Sequence, residues 1–99
     1  MAKSKSKKIR ESARGEACTM RIQGCMPDRE TVVLAHLNGA GVGLKALDIH
    51  GAYLCLNCHD IYDGRKEAPP NTDVSLEMYR AIIETQKILV EKGLIKWKQ

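Results

Sequence analysis

Leu54-Cys55-Leu56-Asn57-Cys58-His59-Asp60-Ile61-Tyr62-Asp63 places two cysteines, a histidine and two acids within ten residues. Its Cys-x-x-Cys spacing lets both sulfurs face one ion, and the residues that follow fit a short helix that Gly64 would end. A second pair, Cys18 and Cys25, stands further back, with 29 residues between Cys25 and Cys55. Two close thiolate pairs brought together make the tetrahedral sulfur site that zinc takes. The chain needs such a clamp. It has 99 residues, no Phe and 4% aromatics, so its core lacks the largest apolar side chains. A chain of that length folds as one domain with a marginal core. Structural zinc supplies roughly 10–16 kcal/mol of folding free energy.

Other uses of these thiols are weaker. Cys55-Leu56-Asn57-Cys58-His59 also spells the attachment run for c-type haem, but that chemistry needs export and leaves Cys18 and Cys25 unexplained. A redox Cys-x-x-Cys normally sits in a βαβ pattern, which is not found here. His59 in place of one cysteine is the alternative zinc donor. The Met-Ala-Lys-Ser-Lys-Ser-Lys-Lys start has no apolar stretch after its charges, so it does not read as a secretory signal. A reducing, cytoplasmic location is therefore expected, where thiols bind metal more often than they form disulfides. No apolar run is long enough to span a membrane.

The net charge of +4 is unevenly placed. Residues 1–14 hold Lys3, Lys5, Lys7, Lys8, Arg10 and Arg14 against Glu11, a net of +5, while residues 15–99 hold 10 bases and 11 acids, a net of −1. Residues 1–8 read as a disordered basic tail and 9–99 as a zinc-binding domain. A Lys/Ser tail suits contact with a phosphate backbone without sequence readout, or simple solubilisation.

Along the chain, residues 9–14 suggest a helical turn or two before Gly15. The Cys18–Cys25 segment suggests a short strand or loop. Residues 31–37, Thr-Val-Val-Leu-Ala-His-Leu, read as a strand or a short buried segment, and Ala52-Tyr53-Leu54 as a second short strand. Residues 38–45, with three glycines, read as a loop. The clearest helix covers 75–92, with Leu76, Tyr79, Ile82, Ile83, Leu89 and Val90 as its apolar positions, Asp73 or Ser75 as cap and Gly93 as stop. Its expected task is to cover the core. Its length also offers a surface on which two copies could pair.

The histidines and acids carry the chemistry. His59 and Asp63 are i and i+4, so they project from one helical face and can hold one divalent ion, Mg²⁺, Mn²⁺ or Zn²⁺. His36 on a neighbouring hairpin could take a proton from water, and Arg65 is close enough in sequence to reach phosphate. A base plus a metal is the minimum for metal-assisted phosphodiester hydrolysis.

The runs Leu34-Ala35-His36-Leu37 and Leu54-Cys55-Leu56-Asn57-Cys58-His59, with the glycine-rich loop between them, resemble the HNH nuclease pattern on a treble-clef, ββα-metal scaffold. The chain is similar to a family of small phage and prophage nucleases in Ala13-Arg14-Gly15-Glu16-x-Cys18, Arg21-Ile22-x-Gly24-Cys25, Cys58-His59-Asp60-x-x-Asp63 and Glu91-x-Gly93-Leu94-Ile95-Lys96. The resemblance covers roughly residues 9–97. It implies an α+β zinc domain with a long C-terminal helix, cutting DNA. His36 would be the general base, with His59 and Asp63 as ligands of the catalytic ion. His50 stands about where such proteins place a middle Asn and would orient His36 or join the metal; Asp48 is the alternative. In one respect the chain departs from the pattern. Many such enzymes carry an acid or histidine before the base, and here Ala35 stands there, which cannot coordinate. A zinc-finger module that binds nucleic acid or a protein without cutting is the alternative function.

Overall fold

The computed structural model describes residues 8–37 and 47–96. The glycine-rich loop at 38–45 and the start of the basic tail, with Lys3, Lys5 and Lys7, lie outside them. The described architecture is α+β. A helical turn at 8–11 is followed by an irregular segment carrying Cys18 and Cys25. A 3₁₀ turn (Arg29–Thr31) leads into strand β1 (Val33–His36). A second 3₁₀ turn (Asp48–His50) leads into strand β2 (Gly51–Leu54), then helix α1 (Leu56–Tyr62) and helix α2 (Val74–Glu91). The strands pair antiparallel, with Val33 opposite Leu54 and His36 opposite Gly51.

Local chemistry explains the boundaries. The Cys55 sulfur accepts from the Cys58 N–H and caps α1, and the Asp73 carboxylate accepts from the Leu76 N–H and caps α2. Gly64 and Gly93 follow the two helix ends with φ of 81° and 76°, the left-handed conformation that glycine adopts without a Cβ clash. Among the described residues no helix is long and apolar enough to cross a membrane.

Helix α2 lies against β2. The core between them is built from Tyr53, Leu54, Met78, Ala81 and Leu89, each fully buried. A two-stranded sheet cannot stand alone in water, so this helix is what stabilises it. Tyr53 substitutes for the missing Phe. Its ring is buried and its hydroxyl reaches Ser12 at 2.7 Å, which docks the N-terminal turn through Ile9 and Ala13. Thr85 stands at the centre of the layer. Its hydroxyl accepts from the Tyr53 N–H at 3.2 Å and meets the Thr19 hydroxyl at 3.1 Å, while the Thr19 N–H donates to the Tyr53 carbonyl at 2.7 Å. One threonine thus joins helix, strand and cysteine-bearing segment.

The apolar face expected for the long helix needs correction. Ile82 and Leu89 are buried, but Leu76, Tyr79, Ile83 and Val90 are exposed, and the core face is instead Met78, Ala81, Ile82, Thr85 and Leu89. Ala81 and Thr85 belong to the buried face because the backbone of β2 and its partners approach closely there. Small side chains fit that space and larger ones do not.

Replacing Thr85 by Val keeps the volume but leaves the buried Tyr53 N–H without its acceptor. The expected cost is about 1–3 kcal/mol, read as a lower urea midpoint for zinc-loaded protein. An unchanged midpoint would show that the hydroxyl contributes nothing.

Candidate active site and metal centre

The four sulfurs of Cys18, Cys25, Cys55 and Cys58 lie within 4.8 Å of one another. The pair Cys25 and Cys55 is 3.7 Å apart. Four sulfurs each about 2.3 Å from a tetrahedral ion stand about 3.8 Å from one another, so the spacing fits zinc and is far too long for a disulfide. The donor set is wholly sulfur, which suits zinc over the hard oxygen-seeking cations. Backbone N–H groups of Met26 and Cys58 donate to the Cys55 sulfur at 3.4 and 3.5 Å, orienting it. The site joins the irregular segment (Cys18, Cys25) to the end of β2 and the start of α1 (Cys55, Cys58).

Electrostatics within the cluster favour a cation. A hydrogen bond from Cys58 draws the Cys18 thiol down to about 4. Burial, with the thiolate at Cys18, pushes Cys25 up to about 12, and the bond to Cys18 pushes Cys58 upward as well. The charge at Cys18 thus opposes ionisation of Cys25 and Cys58 until a cation arrives, and binding must expel their protons.

His36 ends β1, where its Nε2 stands 2.5 Å from Asp48 Oδ1. A carboxylate accepts, so a neutral imidazole in this contact would carry its proton on Nε2 and present Nδ1 as the acceptor. The Asp48 side chain is 9% exposed, against 37% for His36. Asp48 Oδ2 is buried and has no hydrogen-bond partner among the described residues. The 3₁₀ turn carrying Asp48 is fixed on both sides. The His50 carbonyl accepts from the Leu37 N–H at 2.9 Å, and the Ile49 carbonyl accepts from Gln86 on α2 at 2.6 Å. Gly51 is required next to it, because a Cβ there would lie 2.9 Å from the Ala35 carbonyl oxygen. It is Asp48 that contacts His36, while His50 is exposed at the end of the same turn. Ala35 is 2% exposed and pairs with the fully buried Ala52, so the position before His36 belongs to the core.

On α1, His59 Nε2 and Asp63 Oδ2 stand 3.1 Å apart. Adjacent ligands on a six-coordinate ion, each about 2.1 Å from it, are about 3 Å apart, so this pair fits two neighbouring positions. Among the described residues the cysteines are the one cluster of three or more such ligands. An ion at His59 and Asp63 would therefore complete its shell from water or phosphate oxygen. Arg65 bridges the carboxylates, with Nε 3.0 Å from Asp60 and a terminal nitrogen 3.1 Å from Asp63. Asn57 was not foreseen. It is buried in α1, accepts from Lys66 and packs on Gly24, where a Cβ would come within 3.2 Å of its amide nitrogen. Nothing in its spacing signals this, since its partners lie in two separate turns.

Residues 7–94 match a family model described as "Putative nuclease YbcO". The chain belongs to this family. Two curated members, from Escherichia coli K12 and Enterobacteria phage 82, are each 36% identical over 95 residues, spanning 89% of this chain and 96% of theirs. A solved structure from E. coli K-12 MG1655, described as a putative bacteriophage protein, is 31% identical with a TM-score of 0.66 and covers 87% of this chain and all of that one. The phage and prophage resemblance read from the sequence is the family the comparisons identify.

Two outcomes follow from this geometry. Zinc binding by the refolded protein weakens as pH falls from 8 to 6 and releases protons at pH 7, both readable by titration calorimetry in buffers of different ionisation heat; pH-independent binding would contradict a thiol site. Gly51→Ala destabilises by about 1–3 kcal/mol through overpacking against backbone, and an unchanged denaturation midpoint would show that the strand relaxes freely.

Proposed function

We propose that this protein is a metal-dependent endonuclease of HNH-like, treble-clef type that hydrolyses DNA phosphodiesters. The observation that carries the reading is the His36–Asp48 pair, a half-exposed imidazole held by an almost buried carboxylate. Membership of a nuclease family supports it.

His36 Nδ1 takes a proton from water as its oxygen forms a bond to phosphorus and the ester P–O bond breaks. Asp48 fixes the ring tautomer and stabilises the imidazolium that results. His59 and Asp63 would hold a divalent cation, which when bound neutralises charge on the phosphate and the departing oxygen. Arg65 keeps Asp63 aimed at His59 and offers a guanidinium edge to the phosphate. Exposed His50, beside the pair, would meet the nucleic-acid backbone. The tail with Lys3, Lys5, Lys7, Lys8 and Arg10 supplies attraction to the backbone without reading bases. The buried Ala35 favours the second reading, a zinc module that binds nucleic acid without cutting, since no ligand precedes His36.

Cleavage of linear, single-stranded and branched DNA is scanned with Mg²⁺, Mn²⁺, Ni²⁺ and Zn²⁺ on zinc-loaded protein. Metal-dependent cutting is expected, falling at least about a hundredfold in His36→Ala and about tenfold or more in Asp48→Asn. DNA binding without cutting in every ion would overturn the nuclease reading in favour of the binding module.

A further inference from the structure

Helix α2 keeps a second apolar face that the fold does not use. Leu76, Tyr79, Ile83 and Val90 are 54, 54, 68 and 40% exposed. Their spacing of three, four and seven residues aligns them on one stripe about 20 Å long, the a/d spacing of a helix that pairs with another helix. Isolated exposed apolar residues need no explanation, but four on one stripe, broken only at Gln86, do.

A charged row runs along one edge of the stripe: Glu77, Arg80, Glu84, Lys87 and Glu91, alternating in sign at every step. This row is self-complementary in one arrangement. Lay a second copy of α2 antiparallel, related by a two-fold axis crossing the helices at residue 82. The rows then lie on the same side, with Glu77 of one copy level with Lys87 of the other and Arg80 level with Glu84. The apolar stripe agrees with that axis to within one residue. Tyr79 meets Ile83 across a midpoint of 81, and Leu76 meets Val90 across a midpoint of 83. Glu91 comes level with the other copy's helix N-terminus at Asp73, where the N–H groups of the first turn offset the like charge. Within one chain Arg80 already meets Glu77 at 2.7 Å and Arg21 grips Glu84 through two bonds of 2.7 and 2.6 Å, so the row is ordered before pairing.

We propose that α2 is a self-association surface and that the protein forms an antiparallel, two-fold symmetric dimer through Leu76, Tyr79, Ile83 and Val90. The alternating signs of the row favour a second copy over other occupants. The three acids of the row are balanced by Arg80, Lys87 and the Arg21 that holds Glu84, so this face offers a nucleic acid or an anionic membrane no positive field, while a second copy matches it charge for charge. The apolar seam supplies affinity and the exposed ion pairs set register. The proposal is independent of the nuclease reading.

The test is sedimentation equilibrium of the full, zinc-loaded chain from about 1 μM to about 1 mM, the range in which a modest helix interface associates. The expected result is a concentration-dependent shift from the mass of one chain to that of two. Ile83→Glu should weaken dimerisation at least tenfold, with zinc content and far-UV dichroism unchanged because the residue is exposed. Lys87→Glu alone should weaken it, and adding Glu77→Lys should restore it, since the swap returns opposite charges at both symmetry-related pairs. A one-chain mass at all concentrations, a dimer indifferent to Ile83→Glu, or a double swap weaker than the single variant would overturn the arrangement.

Discussion

Four sulfurs brought within 4.8 Å of one another are the constraint on which the rest depends. The chain has no Phe, and its sheet has two four-residue strands. Neither the hairpin nor the seven-residue helix α1 would persist alone. The cysteines tie the segment before the hairpin to the corner where β2 becomes α1, which is the corner that sets the direction of His59 and Asp63. The same corner is buried under α2 through Tyr53 and Thr85. Sulfur cluster, buried hydroxyl and helix thus converge on β2, and His36 is held in register with the other end of that strand.

The two chemical groups are built differently. His59 and Asp63 come from one turn of helix, so their spacing is automatic once α1 forms. His36 and Asp48 come from either side of the glycine-rich loop, and their contact depends on strand register, on Gly51 allowing close approach of backbone, and on Gln86 holding the Ile49 carbonyl. The second pair is the more demanding, and it is also where burial is uneven. An imidazole open to solvent on a carboxylate that is not suits a proton acceptor facing substrate.

Much of the fold was legible because local signals and metal chemistry agree. Strands at 33–36 and 51–54, the short helix after Cys55 and the long helix with its Asp73 cap and Gly93 stop all follow from spacing and turn chemistry. The cysteine set was legible from its spacing alone. The face of the long helix was not. Periodicity shows that apolar residues recur but not which of two stripes packs, and small Ala81 and Thr85 carry too little hydrophobic signal to reveal the buried one. Asp48 could be named only as one of two options, since a turn determines which side chain points to His36. Asn57 could not be foreseen, because burial of a helical amide depends on Gly24 and Lys66, which are remote from it in sequence.

The four-sulfur cluster is built to hold one zinc ion that organises the molecule. Zinc X-ray absorption on protein holding one equivalent of the metal tests it most directly. The expected result is a first shell of four sulfurs at about 2.3 Å. A shell containing nitrogen or oxygen donors in place of any of Cys18, Cys25, Cys55 and Cys58 would contradict it.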